Sequence, residues 1–412
     1  MKKTTFLFLA LAFSTAISAQ QFPFTYSEAH PYGYMTRTFY HKSIMAAYQT
    51  WYSNFVKPCG ENELRVVNNS RNNDLTVSEG IGYGLAIFAY MGYKENFDKM
   101  LNYYRARRNE RGFMNWEYFS CESGDNQKNA AADADLDVAI ALMVAMVQWS
   151  DDKQYKQELD ALLTAFEKYY FVTCNGLLVL KPGDMFGSCT CTNPSYFSPA
   201  YYRAFARYAE KQGKKKSAQF WDKAAADTYT VLLKNAHPHT GLIFAWTNAE
   251  GSDPTECGYQ VAGSGTYNSF QYDACRMPWR VATDYLWWGD EQAKELLQRL
   301  THFVNTPVWQ QKEDDGSVWF GAGGIHNVID GYYTNGLRKI DEGGSIGGRN
   351  HTVPFVGGFA LAAMASSQED ADKFTQEYAS MTAYGYYASS LDVLYKLLAA
   401  GNFWNPIPKM GK

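Results

Sequence analysis

The chain has 412 residues, with 38 Lys+Arg against 42 Asp+Glu for a formal net charge of −4, and 46% hydrophobic against 19% charged residues. That composition supports a sizeable core and excludes wholesale disorder, and the lack of any Lys/Arg cluster excludes nucleic acid and anionic membrane as main partners. The unusual feature is the aromatic load of 11 Trp, 31 Tyr and 25 Phe.

The first element in chain order is a leader. Lys2-Lys3, an apolar run from Phe6 to Phe13 and the small residues Ala16-Ile17-Ser18-Ala19 make the three parts of a signal peptide over residues 1–19, cleaved near Ala19. The run is too short to span a bilayer, and no later stretch reaches about 18 apolar residues, so no membrane association is expected. Residues 22–412 then form one domain of a secreted or periplasmic protein. There, most of Cys59, Cys121, Cys174, Cys189, Cys191, Cys257 and Cys275 should pair, and the odd count leaves one over. Cys275, in an apolar run, is the expected free thiol. Cys189-Thr190-Cys191 has no His or Cys at zinc-ligand spacing beside it, so disulfides are expected there and no metal.

A 3.6-residue apolar period predicts twelve helices, at 40–56, 79–92, 96–108, 134–149, 154–171, 199–212, 216–235, 273–288, 291–304, 354–366, 370–381 and 388–400, with almost no alternating strands. In the fifth, Leu159, Leu162, Leu163, Phe166, Tyr169 and Tyr170 share one face. The fourth has little polar face at all, as an interior helix requires. Links out of even-numbered helices are brief, such as Gly92-Tyr93-Lys94-Glu95, whereas links into the first five even-numbered helices run twenty or more residues. Short links make antiparallel hairpins. Six hairpins with the more apolar second helix inside predict an all-α fold, an α/α barrel of six inner and six outer helices, with every long loop on the rim where the inner helices begin.

Acids stand at those starts: Glu79 in Ser78-Glu79-Gly80-Ile81-Gly82-Tyr83-Gly84, Asp133 in Ala132-Asp133-Ala134-Asp135, and Asp273 in Tyr272-Asp273-Ala274-Cys275-Arg276. Asn193-Pro194-Ser195-Tyr196 precedes a fourth inner helix. Acids also cap helix N-termini, so each alone admits a capping role. Capping, however, needs neither Gly-x-Gly-x-Gly around the acid nor an Arg three residues after it. Glycosidic hydrolysis needs two carboxyl groups across the bond, one to protonate the leaving oxygen and one to activate water or attack. Glycines beside the acid would let a sugar approach the backbone. Trp116, in a long rim loop, is a platform for a sugar ring, while most other aromatics belong to the core.

These segments resemble glycoside hydrolase family 8 over nearly all of the mature chain. The resemblance implies an (α/α)6 barrel and an inverting mechanism, with Glu79 as general acid, Asp273 as general base and Asp133 stabilising the distorted sugar. It implies that Tyr196 helps to hold the attacking water, that Arg276 neighbours the base, and that Trp116, Phe186, Tyr272, Tyr384 and Tyr387 contact sugar, Phe186 standing in place of a Trp. Ala132 and Val138 depart mildly from the family signature. Leu178-Val179-Leu180-Lys181-Pro182-Gly183-Asp184 and Tyr384-Gly385-Tyr386-Tyr387 are most similar to the endo-β-1,4-glucanase members. The implied partner is a β-1,4-linked polysaccharide or oligosaccharide, with no cofactor and a monomeric state expected. The alternatives are an endo-β-1,4-xylanase or xylo-oligosaccharide hydrolase, and a secreted carbohydrate-binding protein, for which Glu79 opposite Asp273 would have no use.

Other motifs fail on context. The Gly-x-Ser-x-Gly at residues 343–347 has no convincing strand before it, as a nucleophile elbow requires. Gly80-x-Gly82-x-Gly84 lacks dinucleotide spacing. Asp133, Asp135 and Asp137 mimic a calcium loop, but Val138 and Val144 occupy its Gly and Glu positions.

Overall fold

The computed structural model describes residues 21–69, 74–150, 152–252, 257, 268–339 and 348–411. The predicted leader and the motif at residues 343–347 lie outside them. The described residues hold twelve α-helices: α1 His41–Phe55, α2 Ser78–Met91, α3 Lys94–Arg105, α4 Ala132–Gln148, α5 Lys153–Tyr169, α6 Pro199–Lys211, α7 Lys215–Asn235, α8 Met277–Trp288, α9 Glu291–Asn305, α10 Val353–Ala363, α11 Gln368–Ala379 and α12 Gly385–Ala399.

They pair as the link lengths predict. α2 packs on α3, α4 on α5, α6 on α7, α8 on α9, α10 on α11 and α12 on α1. The even-numbered helices form the inner ring: α2 touches α4 and α12, α12 touches α10, α10 touches α8, and α8 touches α6. Composition sorts the two rings. Every residue of α4 except Met146 is buried, whereas outer α5 buries the single stripe Tyr155, Leu159, Leu162, Leu163 and Phe166. This is the (α/α)6 barrel.

The Gly-x-Gly-x-Gly run of α2 serves this packing. A Cβ on Gly82 would lie 2.6 Å from the Ala134 carbonyl oxygen of α4, and one on Gly84 would meet the Met100 thioether of α3. These glycines bring helices together, rather than a sugar to the backbone.

Aromatic side chains fill the axis. Tyr83 of α2 meets Trp279 of α8 at 6.0 Å between ring centroids, and Trp279 meets Tyr395 of α12 at 5.9 Å. Toward the C-terminal ends of the inner helices, Phe403 lies 4.1 Å from Tyr90 and 5.7 Å from Trp287. The Trp287 indole N–H donates to the Phe403 carbonyl at 3.0 Å and the Tyr90 hydroxyl to the Trp404 carbonyl at 3.1 Å. The C-terminal segment thus closes one end of the barrel, leaving the long-loop rim as the open end.

The sequence reading missed the strands in that rim. Among the described residues ten short strands pair as antiparallel two-stranded ribbons, among them β1 (Val56–Pro58) with β2 (Leu64–Val66) and β8 (Gln310–Lys312) with β9 (Val318–Phe320). Together with bridges and disulfides they tie the five long rim loops in series. β3 (Leu75–Val77) pairs with β4 (Glu117–Phe119), and Cys59–Cys121 joins the same two loops. Ala131 bridges to Gly183, and Thr192 to Thr247 beside Cys191–Cys257. β7 (Ser269–Phe270) pairs with β10 (Tyr332–Tyr333). Cys174–Cys189 closes within one loop, and Cys275 is the buried free thiol.

Candidate active site

Glu79 is the second residue of α2, and its approach is set by the β3–β4 ribbon and by the Ser78 N–H, which donates to the Trp116 carbonyl at 2.9 Å. Asp133 is the second residue of α4, which starts at Ala132 rather than at residue 134, and the Ala132 N–H donates to the Pro182 carbonyl at 3.0 Å. Asp273 is not in a helix. α8 was expected from residue 273 but begins at Met277, with Pro278 in its first turn. The Ala274 and Cys275 N–H groups donate to the Gln271 carbonyl at 2.7 and 3.0 Å, forming a turn from which Asp273 projects.

Capping does not account for the acids. The N-cap positions of α2 and α4 are Val77 and Ala131, neither with a side-chain cap. Glu79 and Asp133 bond side chains from other helices instead. The Arg276 guanidinium donates to Oε2 of Glu79 and, at 3.1 Å, to Oδ2 of Asp133. Arg276 also lies over the Tyr196 ring, 4.9 Å from its centroid. One turn deeper the pattern repeats, because Arg280 holds both oxygens of Asp137 at 2.5 and 2.7 Å. Since i and i+4 share a helix face, two ionic layers stack between α4 and α8.

Asp133 and Arg276 are almost sealed from solvent, at 2% and 4% side-chain exposure, against 14% for Glu79. Burial pushes Asp133 up to about 7, against the pull of Arg276, and the nearby Glu79 carboxylate adds to the push. Asp133 therefore retains a proton toward neutral pH.

The base candidate is held differently. Oδ2 of Asp273 accepts from the Trp246 indole N–H at 3.0 Å and from the Gln271 amide at 3.4 Å. Its backbone carbonyl accepts from the Ser195 hydroxyl, whose oxygen also lies 2.8 Å from Asn193 Oδ1. Asn193-Pro194-Ser195-Tyr196 thus positions Tyr196 beside the base segment.

Glu79, Asp133, Asp273, Tyr196 and Arg276 line one groove of about 500 Å³ together with Trp116, Tyr272, Tyr384 and Tyr387. The Tyr272 hydroxyl is fixed by Asp330 Oδ2 at 3.0 Å. Burial opposes ionisation of Asp330, but N–H groups of Asn350 and Arg349 and the Tyr272 hydroxyl hold it below the usual carboxylate range. Of the residues singled out in the sequence, Phe186 alone is placed elsewhere, edge-on to Trp246 at 6.1 Å. Tyr386 and Trp246 were not singled out. Tyr386 lines the groove and donates to Glu79 Oε1 at 2.8 Å. Among the described residues no His, Cys, Asp or Glu group is arranged to hold a metal, and the cation between the acids is Arg276.

The inner-ring order places α2 and α8 three positions apart, so Glu79 and the Asp273 turn stand across the barrel from each other. Two acid side chains on one side and a third on the other, with aromatic faces between, are an arrangement for acid–base attack on a bond lying across the groove.

Known proteins resemble this chain over most of their length. The chain is 31% identical over 376 residues to Endoglucanase A of Acetivibrio thermocellus, covering 88% of this chain and 70% of that one. It is 30% identical over 414 residues to Endoglucanase 2 of Ruminiclostridium josui, covering 97% and 81%. The fold superposes on the apo structure of a beta-1,3-1,4-glucanase from Paenibacillus sp. X4 with a TM-score of 0.75 and 25% identity, over 94% of this chain and 99% of that one. The model of glycosyl hydrolases family 8 matches residues 22–318, and the chain belongs to that family.

Proposed function

We propose that this glycoside hydrolase is an exported, inverting endo-β-1,4-glucanase. The observation that carries the reading is the convergence of Glu79 and Asp273, from opposite sides of the inner ring, on one aromatic-lined groove. The names of the relatives support glucan as the substrate. The leader at residues 1–19 and the three disulfides support export.

In this mechanism Glu79 protonates the glycosidic oxygen as its bond to the anomeric carbon breaks. A water attacks that carbon from the opposite face and passes a proton to Asp273. Asp133 stabilises the positive charge that develops on the distorted sugar, and Arg276 keeps Glu79 in place. Trp116, Tyr272, Tyr384 and Tyr387 hold neighbouring rings by stacking, and Tyr196 orients the water.

The test is reducing-sugar release from carboxymethyl-cellulose, barley glucan, xylan and chitosan, with NMR of the first anomer formed. Glu79→Gln and Asp273→Asn should each lower turnover by about three orders of magnitude or more, within the range assigned to acid–base groups. No reducing-sugar release by the parent chain would make the protein a carbohydrate binder, and unchanged turnover in both variants would overturn the acid and base assignments. A product that first appears as the β-anomer would rule out inversion, and preference for xylan would move the substrate to the alternative class.

A further inference from the structure

Trp246 occupies a place that sugar stacking does not explain. It is absent from the groove lining, and its half-buried ring meets Phe186 at 6.1 Å and Tyr196 at 6.4 Å edge-on. Its backbone is pinned on both sides. The Ala245 N–H donates to the Ser269 carbonyl at 3.1 Å, four residues before Asp273, while Thr247 and Thr192 exchange N–H to carbonyl bonds of 3.0 and 2.7 Å, four residues before Tyr196. The Cys191–Cys257 disulfide fastens the same pair of loops. The indole N–H is therefore fixed relative to both the base segment and the Tyr196 segment, and it points at Oδ2 of Asp273.

The two oxygens of Asp273 are consequently unlike. Oδ2 takes the Trp246 N–H and the Gln271 amide, whereas among the described residues nothing donates to Oδ1. We propose that Trp246 is the positioning residue that orients the general base, presenting Oδ1 of Asp273 as the atom that takes the proton from the attacking water. This rests on the reading of Asp273 as the base. Trp246 touches neither sugar nor water. It fixes the carboxylate plane, and misplacement of a reacting group by about 1 Å can cost two orders of magnitude in rate.

The experiment uses the whole mature chain with Trp246→Phe, which keeps a ring and removes the N–H, and with 3-benzothienylalanine at the same position, which keeps the indole shape and replaces the N–H by sulfur. Steady-state kinetics on barley glucan and calorimetric binding of cellopentaose are measured beside Asp273→Asn. The expected result is a fall in kcat of about 10- to 100-fold in both variants, with KM and cellopentaose affinity within about threefold of the parent. Should Trp246→Phe fail to fold, the isosteric replacement still decides the matter. A raised KM with parental kcat would make Trp246 a sugar-binding residue and overturn the proposal. Parental kcat in the isostere, with Asp273→Asn inactive, would remove the positioning role alone. Full activity in Asp273→Asn would remove the base assignment itself.

Discussion

Tyr386 donates its hydroxyl to Oε1 of Glu79 at 2.8 Å, across 307 residues of chain. With Arg276 on Oε2, both oxygens of the acid are held from outside its own helix. Tyr386→Phe removes one hydroxyl and nothing else. A hydrogen bond to a charged group is worth about 1.5–3 kcal/mol, so kcat should fall by about 10- to 100-fold with KM little changed. Steady-state kinetics check this, and a parental kcat would mean that Arg276 alone orients the acid.

Gly82→Ala tests whether the glycine run exists for helix packing. Its Cβ would press on the Ala134 backbone of α4, one residue beyond Asp133. Backbone cannot swing aside, so a stability loss of about 1–3 kcal/mol is expected in urea unfolding, together with lower kcat as Glu79 and Asp133 move apart. Gly84→Ala meets side chains rather than backbone, the flexible Met100 thioether first and a Val66 methyl at 3.2 Å, and should cost less.

Asp135 makes stability depend on pH. It is buried and accepts the Tyr104 and Tyr170 hydroxyls at 2.5 Å each. Burial pushes it up to about 8, against those two hydrogen bonds. An unfolded Asp titrates near about 3.9. Between those values the folded chain holds a proton that the unfolded chain has lost, so this group's contribution to stability falls as pH rises through that window. Asp135→Asn cannot ionise and should gain in Tm relative to the parent from pH 4 to pH 8. A flat difference across that range would show that Asp135 is ionised throughout.

Thiol chemistry checks the rim staples. Cys275 is buried and its thiol is pushed up to about 12, chiefly by burial, so the native protein should not react with a thiol reagent. Denaturation without reductant should expose one thiol, and reduction all seven. Replacing Cys191 and Cys257 together by Ala opens a sequence separation of 66 residues and should cost about 2–4 kcal/mol, read by thermal unfolding.

The barrel was legible because its signals are local. The all-apolar α4, the striped α5 and the alternation of long and short links each sit within a few dozen residues of sequence. Glu79, Asp133 and Asp273 were legible for a related reason, as they lie where inner helices begin. The ribbons were not, since strands of two to four residues are too short to show alternation. One of them did carry a signal: Asn175-Gly176 joins β5 (Phe171–Cys174) to β6 (Leu177–Leu180) with φ of 48° and 85°, as a tight hairpin turn requires. The delayed start of α8 was hidden because the turn at Tyr272–Arg276 continues the apolar helical pattern. Tyr386 and Trp246 had no local mark at all. Their partners lie 307 and 27 residues away, and only the closed ring brings them together.

The link between α11 and α12 is confined to residues 380–384, while the other five entries to the inner ring carry long tied loops. The collar around the rim is therefore interrupted on one side, and Tyr384 stands in that gap with 82% of its surface exposed. Among the described residues nothing walls the groove on that side. On the proposed reading a glucan chain would pass over the Tyr384 ring and continue into solvent, and cleavage would not have to wait for a chain end.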